Sequence, residues 1–445
     1  MLVYHISDFH YNFDYQAGTS NKCNRLVCCD AKAGAPKTEE EAAGKWGDYN
    51  CDTNPALIKQ LNHTIARTGV PEFIIWTGDS VDHEVADMDP KVSTRGAVEI
   101  SKDLDKLFES SIIFPVLGNH EFAPANIEDM SANDDEVINI LAEAWSNWLT
   151  PEVKEEFINN TFFSYNSTTH PKSNQQFVRK MNGTRIISLN TQNCLAFNFE
   201  LIGEDNDPGQ ELSWLENLLL QMEKDGEIGI LIGHIPPGSV DCTHDVAARI
   251  KVLHDRFQHI IRLNLFGHTH FEEFEVVRSY FENKPIGTSH VTSSFTTFLN
   301  QNPSIRAITL DVATKLPVKI ETYTVDLVKA NNDDDFAEFF LAHEFAEEYG
   351  VKDLSPNSML EISNSFLEDE TQAIKYKVNM LAGGRGSEEY KTKGCDEKCR
   401  WQIYCTTSHS DYRESRNCYK PNNIGFIEIL TYAFDFIQGV WVIKN

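Results

Sequence analysis

Five short polar clusters carry seven side chains of metal-ligating type. They are Asp8 and His10 in "SDFH", Asp79 in "TGDS", Asn119 in "LGNHE", His234 in "IGHIPPG", and His268 and His270 in "FGHTH". Carboxylate oxygen, imidazole nitrogen and amide oxygen suit Zn²⁺, Mn²⁺ or iron, and no thiolate is present to favour a closed structural zinc site. Seven donors exceed the needs of one metal. They suffice for two, with Asp79 bridging and positions left open for water and substrate. Two metals about 3.5–4 Å apart can clamp a phosphoryl group and lower the pKa of a bound water from 15.7 to roughly 7. The implied chemistry is hydrolysis of a phosphate ester at neutral or mildly acidic pH. In an extended segment residues i and i+2 share a side, so His268 and His270 are expected to project together. Taken alone, that pair reads equally well as two polar loop residues after a strand.

The elements that must position these groups recur along the chain. Apolar strand-like runs end in the polar clusters: "LVYHISDFH", "FIIWTGDS", "IIFPVLGNHE", "IGILIGHIPPG" and "LNLFGHTH". Helical stretches such as "PALIKQLNHTIART" and "GQELSWLENLLLQM" lie between several of them. Strands alternating with helices predict an α/β fold with ligands gathered at the carboxyl ends of the strands. Glycine precedes the polar residue in four of the five clusters, which predicts sharp turns that aim side chains off the sheet edge.

Composition narrows the setting. The 445 residues are too many for one small core, and 41% hydrophobic with 11% aromatic content describes an ordinary folded chain. A net charge of −28 argues against nucleic acid polymers and, on average, against anionic membranes. Ten cysteines fall in clusters: Cys23, Cys28, Cys29 and Cys51, then Cys194 and Cys242, then Cys395, Cys399, Cys405 and Cys418. Such clusters read as disulfides of a secreted or lumenal protein. A zinc knuckle of Cys395, Cys399, Cys405 and His409 fits no common finger spacing. Sequons at Asn62, Asn159, Asn166 and Asn182 agree with a secretory route. Core-like sequence begins directly after Met1, so no signal peptide is read. The final apolar stretch, "IGFIEILTYAFDFIQGVWVI", is interrupted by Glu428 and Asp435 and reads as a packing segment or tail rather than an anchor. A lipid-anchor signal is the lesser alternative there.

The ordered motifs D-x-H, G-D, G-N-H-E, G-H and G-H-T-H, from Asp8 to His270, resemble those of the calcineurin-like metallophosphoesterases. Within that superfamily "GHIPPG", "FGHTHFEEFEV", "RIISLNT" and the terminal C-x₃-C-x₅-C-x₁₂-C resemble acid sphingomyelinase and its sphingomyelinase-like phosphodiesterase relatives. The resemblance implies a four-layer αββα sandwich with a helical, disulfide-stapled C-terminal region. It implies one metal on Asp8, His10, Asp79 and His270, and another on Asp79, Asn119, His234 and His268. It also implies the pairs Cys23–Cys28, Cys29–Cys51, Cys194–Cys242, Cys395–Cys399 and Cys405–Cys418. His83 and His120 are implied as the groups that meet phosphate or protonate the leaving alkoxide, with the principal donor left open. The competing reading for each is a histidine that merely orients a carboxylate.

Asp82 stands where purple acid phosphatases place a tyrosine for ferric iron, so two Zn²⁺ are expected. "GDSVDHE" follows the protein phosphatase pattern until His83 replaces an arginine that would grip a dianionic monoester. Asn12 departs from the usual D-x-H-x-D, and no saposin-like domain precedes the catalytic residues. His5, His63 and His290 are expected to be structural. The "NNDDD" run at 331–335 marks a shift to helical signals ("FAEFFLAHEFAEEY", "AIKYKVNMLA"). The expected division is therefore a catalytic domain over 1–328, a helical C-terminal domain over 329–420, and a tail over 421–445.

The expected protein is a secreted or lysosomal monomeric phosphodiesterase, hydrolysing sphingomyelin to ceramide and phosphocholine with transient contact to a membrane or micelle surface. Nucleotide or other small soluble diesters are the alternative substrates, and a silent binding protein on the same scaffold is the alternative class.

Overall fold

Short runs of β-branched and aromatic residues become strands wherever the next residues are glycine, proline or small polar groups. In the computed structural model, which describes residues 1–419 except 85–88, 132–134, 203, 205 and 333–336, these are β1 (Leu2–Ile6), β2 (Phe73–Trp76), β3 (Ile112–Pro115), β4 (Phe163–Asn166), β5 (Thr184–Ser188), β6 (Ile228–Ile232), β7 (Ile261–Phe266), β8 (Glu273–Arg278), β9 (Pro285–Val291), β10 (Ser304–Leu310), β11 (Pro317–Val325) and β12 (Phe339–Glu344). Among the described residues they form two six-stranded sheets, β12-β11-β10-β1-β2-β3 and β4-β5-β6-β7-β9-β8. β1, β2 and β3 run parallel. So do β5, β6, β7 and β9, with β4 and β8 as antiparallel edges. The expected metallophosphoesterase architecture is present.

Strand periodicity explains the layering. Successive side chains of a strand point to opposite faces. Ile186, Ile230, Ile232, Leu263 and Leu265 enter the large core shared with Val3, Ile6 and Ile75 of the first sheet. Their neighbours Ile187, Leu231 and Phe266 turn the other way and bury against Leu215, Leu219 and Met222 of the helix Glu211–Asp225. Both faces are apolar because both are covered.

The segment "FAEFFLAHEFAEEY", expected to be helical, is corrected by the structure. Phe339–Glu344 is strand β12, paired antiparallel with β11, and only Phe345–Tyr349 is helix. The open edge of β11 supplies hydrogen bonds that outweigh the helix propensity of an Ala/Glu-rich run. Beyond it lie the helices Pro356–Glu368, Glu370–Met380, Ser387–Lys393, Glu397–Thr407 and Tyr412–Tyr419; the first packs against β8 and β9, the fourth against β8, and the others against neighbouring helices. The Arg278 side chain donates to the Ser408 carbonyl at 2.8 Å, and His244 and Lys251 meet Asp411 and Glu414 at 2.9 and 2.5 Å. The tail 421–445 lies outside the described residues.

All five cysteine pairs form as the resemblance implied: Cys23–Cys28, Cys29–Cys51, Cys194–Cys242, Cys395–Cys399 and Cys405–Cys418. With Cys395, Cys399 and Cys405 so engaged, no thiolate is left for a zinc knuckle with His409. Among the described residues, no helix is long and apolar enough to cross a membrane.

Candidate metal centre

The seven candidate ligands emerge from the carboxyl ends of β1, β2, β3, β6 and β7 and converge where the two sheets meet. Asp8, His10, Asp79 and His270 bring their donor atoms within 4.8 Å of one another, and so do Asp79, His234 and His268. Asp79 Oδ2 belongs to both groups, lying 3.5 Å from His10 Nε2 and 3.2 Å from His234 Nε2. Asn119 completes the second group, its Oδ1 at 2.8 Å from His234 Nε2 and 2.9 Å from His268 Nδ1. In the first group His10 Nε2 lies 3.0 Å from His270 Nε2, and Asp8 Oδ1 is 3.6 Å from His270 Nε2. All seven residues are buried.

Hydrogen bonds behind the rings decide which nitrogen faces inward. His10 Nδ1 donates to the Val81 carbonyl at 2.8 Å, and His234 Nδ1 donates to the Thr77 carbonyl at 2.6 Å. A carbonyl only accepts, so each neutral ring turns an Nε2 lone pair into the centre. His268 is reversed: its Nε2 donates to Asp241 Oδ2 at 3.0 Å, leaving Nδ1 inward. The Asn119 amide donates through Nδ2 to Asn126 Oδ1 at 2.7 Å, so Oδ1 faces two imidazole lone pairs. Acceptors facing acceptors below 3 Å repel unless a ring proton or a metal cation lies between them. The donor set therefore fits two divalent ions sharing Asp79.

Two local expectations are corrected. His268 and His270 do not project together from an extended segment; both adopt left-handed backbone, φ 72° and 66°, and their rings serve different donor groups. Asp8, His10 and Asp79 are likewise left-handed, at φ 52°, 42° and 57°. Non-glycine residues reach this region at a cost and cluster at functional sites. The turns are thus made largely by the ligands themselves. Of the four glycines, only Gly78 has positive φ. Gly118 is required for a different reason, close approach: a Cβ there would sit 2.2 Å from Asp79 Oδ1 and 2.3 Å from Asp79 N.

Glu121, named in the motif but given no role by sequence, holds this crossing together. Its carboxylate accepts from the backbone N–H groups of Gly118 at 2.7 Å, Ser80 at 2.8 Å and Asp79 at 3.3 Å. Asn12 does not approach the ligands through any described bond; its amide donates to the Cys28 carbonyl and accepts from the Asp14 N–H. His5 is buried against Thr77, and His290 is buried in β9.

His83 and His120 flank the first donor group. Ring nitrogens of His10, His83 and His120 lie within 4.8 Å of one another. His83 stacks on His10 with centroids 4.1 Å apart. Burial holds the His120 ring pKa down at about 3. Asp82 is pushed up to about 7, by burial first and then by the charge of Asp52. Asp52 and Asp241 were not singled out from sequence. Each adjoins a cysteine, Cys51 and Cys242, and no motif marks either.

Comparison with known proteins matches two families in succession along the chain. Residues 1–272 match the calcineurin-like phosphoesterase family, and residues 277–424 match the acid sphingomyelin phosphodiesterase C-terminal region. The chain is similar to sphingomyelin phosphodiesterase B of Dictyostelium discoideum, 29% identical over 435 residues that cover 94% of this chain and 65% of that one. It is similar to sphingomyelin phosphodiesterase of Bos taurus, 28% identical over 416 residues, covering 91% and 63%. It is also similar to acid sphingomyelinase-like phosphodiesterase 3b of Homo sapiens, 28% identical over 436 residues, covering 93% and 89%. The chain thus spans somewhat less than two thirds of the length of the first two relatives.

Proposed function

Since the chain belongs to the calcineurin-like phosphoesterases and carries the C-terminal region of acid sphingomyelin phosphodiesterases, we propose that it is a two-zinc phosphodiesterase that hydrolyses sphingomyelin to ceramide and phosphocholine. The observation that carries this reading is the pair of donor groups joined at Asp79 Oδ2, with Asn119 Oδ1 facing two imidazole lone pairs. Asp8, His10, Asp79 and His270 hold one ion; Asp79, Asn119, His234 and His268 hold the other. When bound, the ions supply Lewis-acid charge neutralisation and a water of lowered pKa. Asp82, in place of a phenolate ligand, favours zinc over ferric iron.

The protein's own residues do the rest. The carbonyls of Val81 and Thr77 and the carboxylate of Asp241 fix the ligand tautomers. His120, whose backbone N–H donates to Asp79 Oδ1 at 2.9 Å, lines the cleft and contacts a phosphate oxygen. In the reaction the water oxygen bonds to phosphorus and the bond from phosphorus to the ceramide oxygen breaks. The leaving oxygen takes the electron pair and a proton from a histidine, and the proton lost by water returns to solvent. A positioned acid is worth about 10²–10⁴-fold for such an alkoxide.

The chain matures in the secretory pathway and acts outside the cell or in the lysosome, a reading supported by five disulfides and by exposed sequon residues Asn62, Asn159 and Asn182. Asn166 is half-buried, and its side chain accepts from Thr168. In this reading 1–328 is the catalytic domain and 329–420 the C-terminal domain, although β12 of the first sheet lies beyond that division. Assay of the purified protein on sphingomyelin micelles and on nucleotide diesters tests the substrate. Ceramide release with nucleotide turnover at least tenfold lower is expected; the reverse order would move the substrate to soluble diesters.

A further inference from the structure

The loop that leaves the carboxyl end of β5 stands on the same edge as the metal ligands, because β5 runs parallel to β6, which leads into His234. At its tip Phe199 and Ile202 are 63% and 80% exposed. Single exposed apolar residues are ordinary, but these two form a pair. Phe199–Leu201 is a turn of 3₁₀-helix, closed by the Ile202 N–H on the Phe199 carbonyl at 3.1 Å. Side chains three residues apart on such a turn leave it on one side. A second exposed pair, Tyr280 and Phe281, lies in the turn between β8 and β9. Since β9 is parallel to β7 and antiparallel to β8, that turn sits at the amino ends of the strands, away from the metal centre.

The tip is tied to the second donor group at three places. Asn198 Nδ2 donates to the Glu128 carbonyl at 2.9 Å and its Oδ1 accepts from the Glu128 N–H at 3.1 Å, joining the loop that begins at Asn119. Thr191 Oγ1 accepts from the Ile235 N–H at 2.8 Å, next to His234. Cys194–Cys242 and the bond from Ala196 N–H to the Asp241 carbonyl join the loop whose Asp241 carboxylate holds His268. Phe199 and Ile202 are therefore placed at a set position relative to Asn119, His234 and His268.

Size and charge choose the occupant. A stable protein partner needs about 800 Å² from each side, far more than two side chains offer. A lipid surface accepts a small apolar wedge, with binding that scales with the apolar area buried. Glu200 and Glu204 beside the wedge are exposed, and the chain carries a net charge of −28. Such a tip is repelled by anionic headgroups and attracted to the outward quaternary ammonium of choline.

We infer that the Phe199–Ile202 tip is the surface by which the protein docks on phosphocholine lipid. The inference rests on the phosphodiesterase reading above and names the contact that reading requires. Docking there sets the rim of the metal centre against the headgroup layer, where the phosphate lies, while the ceramide chains stay in the lipid.

The test measures flotation with phosphatidylcholine vesicles, turnover on mixed phosphatidylcholine–sphingomyelin vesicles, and turnover of soluble bis(4-nitrophenyl) phosphate. In Phe199→Ser/Ile202→Ser both vesicle readouts should fall about tenfold or more. The soluble ester should change less than about twofold, as should all three readouts in Tyr280→Ser/Phe281→Ser. The unsubstituted protein should bind phosphatidylglycerol vesicles at least about fivefold more weakly than phosphatidylcholine. Vesicle binding that survives the Phe199/Ile202 replacement, an equal loss from the Tyr280/Phe281 variant, or tighter binding to phosphatidylglycerol would each overturn the inference. So would a parallel loss on the soluble ester, which would mean that the tip acts through the metal centre. Protein that docks through this tip yet releases no ceramide would sink the functional reading alone.

Discussion

His83 and His268 bring the same side chain to the same cleft and differ in which nitrogen is engaged. His83 gives Nδ1 to Asp52, whereas His268 turns Nδ1 inward and gives Nε2 to Asp241. Their replacement should separate proton donation from metal binding. His83→Ala should retain both zinc ions, lose about 10²-fold or more on sphingomyelin, and lose little on a nitrophenyl diester. His268→Ala should lose at least about 10²-fold on both, because it removes a ligand and displaces the reacting groups. Steady-state rates on the two substrates beside elemental analysis decide it. Gly118→Ala offers an independent check, since its Cβ would strike the carboxylate and main chain of Asp79. It should reduce zinc stoichiometry below two per chain although alanine alters no ligand; full metal retention would mean the crossing relaxes.

The elements matter through the loops that follow them. Cys194–Cys242 ties the loop after β5 to the loop after β6, and Ala196 N–H bonds the Asp241 carbonyl at 2.7 Å. Asp241 in turn holds His268. In the chain-entropy view a loop of 48 residues corresponds to about 4 kcal/mol of stability. Replacing both cysteines by alanine should lower Tm and weaken zinc binding about 10–100-fold, read by thermal melts and metal competition. Wild-type zinc affinity in that variant would show that Asp241 keeps its place without the bridge. Strand and helix existence was largely legible in the sequence, because Ile, Val and Phe runs closed by glycine are local signals. β12 was not: its state is set by the edge of β11, which no local pattern announces.

At the scale of the whole molecule, buried ionisable groups set how stability answers to pH. Glu128 is buried with its carboxyl pushed up to about 8, and Glu211 and Glu275 are also raised by burial. The folded state holds these protons more tightly than the unfolded chain, so their contribution is present below about pH 4.5 and lost as pH rises toward 8. Buried His254, His170 and His290, held down to about 4, 3 and 3, act in the opposite sense. Their contribution is present above about pH 6.5 and lost on acidification. Between about 4.5 and 6.5 the two trends oppose; above 6.5, of these two sets, the carboxyl groups alone change. The Tm of the zinc-saturated protein should therefore fall from pH 6.5 to pH 8, and Glu128→Gln should flatten that fall. A Tm that rises over this interval would contradict the assignment.

The sequence by itself determined the inventory and its order. Donor chemistry is a property of residue type, strands reveal themselves by local periodicity, and the succession from Asp8 to His270 marks the family. The tertiary structure decided everything that depends on which distant atoms meet. It made Asp79 the shared carboxylate and sent His268 and His270 to different partners through left-handed backbone. It also brought Asp52 to His83 across 31 residues. A hydrogen bond between loops leaves no periodic trace in either loop, and a tautomer is set by what lies behind the ring, so neither could be read before the chain was folded.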